Sequence, residues 1–133
     1  NPFHPTVLQS IGEAYLELGM WENAGRSFSQ LIDQFPNTPE AYRNRGNTYL
    51  ALGNVEGAII DYGRAARLSR FDSANFLARG KGYATIGEFE KARDDFDSLK
   101  ITFPHVIYTL LYLPQVGIKN GVLGIPKIIT FLC

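Results

Sequence analysis

Cysteine is nearly missing from this 133-residue chain: the one present, Cys133, is the last residue and has no partner within the chain. A disulfide framework is thereby excluded, and a reducing, intracellular compartment is favoured. Asn-x-Ser/Thr glycosylation sites are absent, which agrees with that expectation. Net charge is missing too, because thirteen basic residues balance thirteen acidic ones. Without an overall positive field, nucleic acid is not an expected partner. A membrane span needs about 20 consecutive apolar residues. The most apolar part, after Pro104, is interrupted by Pro114, Lys119, Asn120, Lys127 and several glycines.

Catalytic and metal-binding groupings are equally scarce. Histidine occurs twice, as His4 and His105, far apart in sequence. Metal-ligand spacing and any Cys–His pair fit to serve as nucleophile and base are lacking. Gly80-Lys81-Gly82 has neither the residue order of a phosphate loop nor its setting, since it falls inside a predicted helix. No catalytic residue, metal or cofactor is expected, and the chain does not read as an enzyme.

What is present is a repeat. Gly12, Tyr15, Gly19, Ala24 and Phe28 return 34 residues later as Gly46, Tyr49, Gly53, Ala58 and Tyr62, and again as Gly80, Tyr83, Gly87, Ala92 and Phe96. Recurrence at fixed phase with no insertion is the signature of stacked helical hairpins. A hydrophobic fraction of 45% suits a folded chain.

Helix signals fall at the same phases. Pro5 opens a first helix to Leu18, with Leu8, Ile11, Tyr15 and Leu18 expected on its apolar face. Gly19 is placed to supply a left-handed turn. A second helix runs from Trp21 to Phe35 with Trp21, Ala24, Phe28, Leu31 and Ile32 inward, and Pro36 ends it. Thr38-Pro39-Glu40 combines a capping hydroxyl, a helix-starting proline and an acid at the positive end of the dipole, opening a helix to Leu52. Asn54 caps a helix from Val55 to Ser69, and Arg64, Arg67 and Arg70 gather at its negative end. Asp72 or Ser73 caps the fifth helix, and the sixth runs from Phe89 to Thr102.

Gly12, Gly46 and Gly80 stand in mid-helix, where glycine costs about 1 kcal/mol relative to alanine. That cost, repeated in phase, predicts close approach within each hairpin, with Ala24, Ala58 and Ala92 as the facing small residues. Tyr15, Tyr49 and Tyr83 are expected to fill the space beside each contact.

With Gly, Tyr, Gly, Ala, aromatic and Pro at fixed phases of a 34-residue unit, the chain resembles the tetratricopeptide repeat (TPR) family. The resemblance covers about Pro5–His105. Its departures are Arg70 in place of a closing proline, Ala65 where Leu31 and Leu99 stand, and Leu8, Tyr42 and Phe76 in place of tryptophan. It implies an all-α solenoid of three antiparallel hairpins wound as a right-handed superhelix. The repeats would be 5–38, 39–72 and 73–106. Residues 1–4 would be the end of a preceding repeat, with Pro2 in the closing-proline phase, or an N-terminal loop. Residues 107–133 would be a tail that caps the last hairpin, in preference to docking on a partner or a membrane surface.

The same resemblance implies an adaptor that holds a peptide or helix of a partner in its concave groove. By phase, that groove is lined by Thr6, Gln9 and Glu13, then Glu40, Arg43, Asn44 and Asn47, then Ala74, Leu77, Ala78 and Lys81. The family's clamp for an acidic chaperone tail wants basic and amide residues where this chain has Gln9, Glu13, Asn44, Ala74 and Ala78. Only Asn44 fits and Glu13 would repel a carboxylate, so such a tail is not the expected partner. The alternative is a structural subunit of a larger assembly, docked through the apolar tail.

Overall fold

The computed structural model describes residues 4–102. The readings of Pro2 and of the tail fall outside the described residues. Among those described there are six helices and no strand. They are α1 (Pro5–Glu17), α2 (Trp21–Gln34), α3 (Pro39–Ala51), α4 (Val55–Leu68), α5 (Ser73–Thr85) and α6 (Phe89–Thr102). Each helix packs mainly on its neighbours in the chain, the arrangement of a solenoid of helical hairpins.

Local chemistry sets the boundaries. Gly19, Gly53 and Gly87 have φ of 71°, 81° and 81°, a left-handed conformation that glycine adopts without a Cβ penalty. Asn54 caps α4 by accepting from the Gly57 amide at 2.9 Å. Of the two capping candidates for α5 it is Asp72 that acts, accepting from the Ala74 amide at 3.0 Å. Thr38 occupies the cap position of α3, but its side chain makes no capping bond.

Within each hairpin the mid-helix glycine meets an aromatic ring. A Cβ built on Gly12, Gly46 or Gly80 would lie 2.5, 2.6 or 2.6 Å from the rings of Phe28, Tyr62 and Phe96 respectively. The predicted close approach is therefore present, but the nearest partner is the aromatic and not the alanine. Ala24, Ala58 and Ala92 are buried nearby in sequence, one helical turn before those rings. Their small size lets the second helix of each hairpin come close enough for its ring to reach the glycine.

Between hairpins, two phases exchange size. Gly25 of α2 faces Thr48 of α3, with 3.4 Å left for a Cβ. One repeat later the bulk changes sides: Ile59 of α4 faces Gly82 of α5, at 2.8 Å from a would-be Cβ. The junctions conserve volume by compensation, as close-packed interiors require. Leu8, Leu31, Ile32 and Ala41 form a buried cluster at the first junction, with Phe35 and Tyr42 against it.

Two residues expected on the inner face of α1 are instead exposed: Ile11 at 42% and Leu18 at 71%. At the Ile11 phase the later repeats carry Arg45 and Arg79, part-buried in ion pairs with Asp61 and Asp95. At the Leu18 phase Leu52 and Ile86 are exposed as well, at 45% and 40%, so this position is open in all three repeats.

Candidate functional site

A cleft of about 420 Å³ opens between α1 and α3, lined by Pro5, Thr6, Gln9, Ser10, Glu13, Thr38 and Glu40. Helical steps of three and four put Thr6, Gln9 and Glu13 on one stripe of α1. Gln9 donates to Glu13 Oε1 at 2.6 Å, and Asn44 Nδ2 donates to the same oxygen at 3.3 Å across from α3. Glu13 is thus held in place by two amides with no cation beside it. Among the described residues, the cleft is lined by two carboxylates and no basic residue.

Arg43 and Asn47, expected in the groove, both have partners within the fold. Arg43 pairs with the Asp72 carboxylate and donates to Asn75 Oδ1 at 3.2 Å, tying α3 to the start of α5. Asn47 Oδ1 accepts a 2.8 Å hydrogen bond from the Tyr62 hydroxyl. Both side chains are at least partly spent on holding the fold. On α5, Leu77 and Ala78 are half-buried, while Ala74 and Lys81 are exposed. Lys81 makes no ion pair among the described residues.

An arginine–aspartate pair also recurs, at a phase the sequence reading passed over. Arg45 donates to both oxygens of Asp61, at 2.7 and 3.0 Å, and Arg79 to both oxygens of Asp95, at 2.9 and 2.6 Å. Asp61 is 1% exposed and takes a further contact from Arg64 at 3.3 Å. Arg45 lies between the rings of Tyr42 and Tyr49, at 5.8 and 5.7 Å, and reaches back to Ser29 of α2 at 3.2 Å. Its hydrogen bonds to Asp61 hold the guanidinium above its ordinary range. The first repeat has Ile11 and Ser27 at these phases and so lacks the pair. The signal was there to find: Arg45 and Arg79, like Asp61 and Asp95, stand one period apart.

Tyr62 is fully buried beneath Gly46, and desolvation, helped by the Asp61 charge, pushes its hydroxyl up to about 12. The unfolded chain loses this proton near pH 10 while the folded chain keeps it. The stability present below pH 10 should therefore be lost as pH rises from there to about 12, at up to about 1.4 kcal/mol per unit. Urea melts across this window check it. Tyr62→Phe, the residue type the sister repeats use, should flatten the loss.

Among the described residues, no group of three His, Cys, Asp or Glu side chains could hold a metal ion. None of the described helices is long and apolar enough to cross a membrane.

The family model described as "Tetratricopeptide repeat" matches residues 10–75. The chain is 36% identical over 62 residues to a UPF0162 protein of Xylella fastidiosa, covering 47% of this chain and 22% of that protein. It is 32% identical over 98 residues to Tetratricopeptide repeat protein 36 of Mus musculus, covering 71% of this chain and 53% of that one. It therefore spans about a fifth to a half of the length of these relatives. Among solved structures it is similar to the first TPR of Spaghetti (RPAP3) bound to the HSP90 peptide SRMEEVD. The TM-score is 0.74 at 22% identity, covering 84% of this chain and 89% of that one.

Proposed function

The chain belongs to the tetratricopeptide repeat family, and from that premise we propose that it is a non-catalytic interaction module that holds a peptide or helix of a partner protein on the α1–α3–α5 face. The observation that carries the reading is the α1–α3 cleft, with Glu13 fixed by Gln9 and Asn44 and with Glu40 exposed at its edge. A solved relative in complex with a peptide supports the general role. The ligand it fits is a segment with a basic end near α1, an apolar side chain over Leu77 and Ala78, and an acid near Lys81. Among the described residues, two carboxylates without a base at one end, and a lysine outside any ion pair at the other, give the face an electrical direction.

This division of labour changes which residues test the site. Arg43 and Asn47 hold α5 and Tyr62, so altering them would confound binding with stability. Glu40 and Lys81 are exposed and carry no such bond, which makes them the clean probes. A partner captured by pull-down should lose at least tenfold in affinity, about 1.4 kcal/mol, when Glu40→Lys and Lys81→Glu are combined. The thermal melt should not move. Unchanged affinity would overturn the assignment.

A further inference from the structure

The three repeats serve as internal controls for what the fold itself requires. At the end of α4 and in the turn after it, the second repeat carries Arg64, Arg67, Leu68, Arg70 and Phe71. The first repeat has Gln30, Asp33, Gln34, Pro36 and Asn37 at those phases, and the third has Ser98, Ile101, Thr102, Pro104 and His105. Neither sister is basic there, so three arginines are not a condition for building a hairpin. Leu68 and Phe71 add apolar side chains where the sisters are polar, and they are exposed at 42% and 86%.

Helix-dipole complementation explains only part of this. It is a small effect and fades beyond the last turn. Arg70 lies past the final helical residue, Leu68. Arg64 already shares Asp61 with Arg45, whereas Arg67 and Arg70 enter no ion pair among the described residues. A second cleft, of about 290 Å³, opens here between Pro36, Tyr42, Arg64, Arg67 and Leu68, and among the described residues no acid lines it.

We infer that this end of α4 is a docking surface for an acidic protein segment carrying an apolar or aromatic side chain, separate from the α1–α3–α5 face. The charge complementarity is direct: arginine forks match carboxylates, and the cleft between Tyr42 and Leu68 has room for one side chain. An acidic peptide is favoured over nucleic acid because the chain as a whole is neutral, with thirteen charges of each sign. It is favoured over a lipid surface because the basic residues are confined to one helix end and its turn, while the chain as a whole carries no net positive charge.

The test uses the full chain and a short synthetic peptide of Asp and Glu around a central Phe, titrated by calorimetry. Binding is expected, weakening as salt rises because the arginines are exposed. Arg67→Gln combined with Arg70→Gln should weaken it by about tenfold or more at unchanged helix content. Arg70→Pro, the residue of both sister repeats, should weaken it in the same direction and guards against a misfolded double variant. Lys81→Gln should leave it intact. Absence of binding, or binding indifferent to the arginine changes, overturns the inference. So would loss on Lys81→Gln, or stronger binding of single-stranded RNA or of phosphatidylserine vesicles than of the peptide.

Discussion

Replacing Gly46 with leucine should destabilise the protein by about 3 kcal/mol or more, the upper end of what overpacking costs. Two effects oppose each other. Leucine is a better helix former than glycine by about 1 kcal/mol. Against that gain, even a bare Cβ at Gly46 would sit 2.6 Å from the Tyr62 ring, and leucine adds three more carbons beyond it. The ring cannot yield cheaply. Tyr62 is 1% exposed and its hydroxyl is bonded to Asn47, so displacing it opens the α3–α4 hairpin and strands a buried hydroxyl. Chemical denaturation followed by circular dichroism measures the effect. Gly46→Ala should cost less, because the propensity gain offsets part of a smaller clash. A neutral Gly46→Leu would mean that the ring does not pack where described.

The second large effect belongs to the buried ion pair. Asp61→Ala removes the carboxylate that takes two hydrogen bonds from Arg45 and one from Arg64. Removing one partner of a buried pair costs about 3–5 kcal/mol, because the other charge is left without compensation. Here the lower end is expected, since Tyr42, Tyr49 and Ser29 still face the Arg45 guanidinium. The first repeat shows how the fold manages without the pair, with Ile11 and Ser27 at the same phases. Arg45→Ile combined with Asp61→Ser should therefore recover much of the loss. A double-mutant cycle by denaturation reads the coupling, and strict additivity of the two single changes would contradict it.

The parts of the fold legible in the sequence are those that depend on neighbours along the chain. Period, turn glycines, start prolines and the Asn54 and Asp72 caps act within a few residues, and helix ends fell within about one residue of the expected positions. The alanines were misread as the partners of the mid-helix glycines because a phase pattern records which residues are small, not how far a ring reaches. The size exchange between Gly25/Thr48 and Ile59/Gly82 was illegible for a related reason, since it breaks the repeat at each position and restores it only across the pair.

What the sequence could not show of the proposed site is which of its side chains are already bonded within the fold. Glu13 and Glu40 line the α1–α3 cleft and Asn44 bonds to Glu13 across it, whereas their role toward a ligand belongs to the proposal. Phase could not show that Arg43 is taken by Asp72, 29 residues away, or Asn47 by Tyr62, 15 away. A polar residue on an inward phase is available to a ligand only if the neighbouring hairpin has not already satisfied it.

The central claim is that partner recognition occurs on the face built by α1, α3 and α5. The most direct measurement is an amide and side-chain NMR titration of the chain with the partner segment recovered by pull-down. The account predicts perturbations centred on Gln9, Glu13, Glu40, Leu77 and Lys81, with the resonances of α2 and α6 unmoved. Perturbations confined to α2, α4 and α6, with those five residues silent, would contradict it.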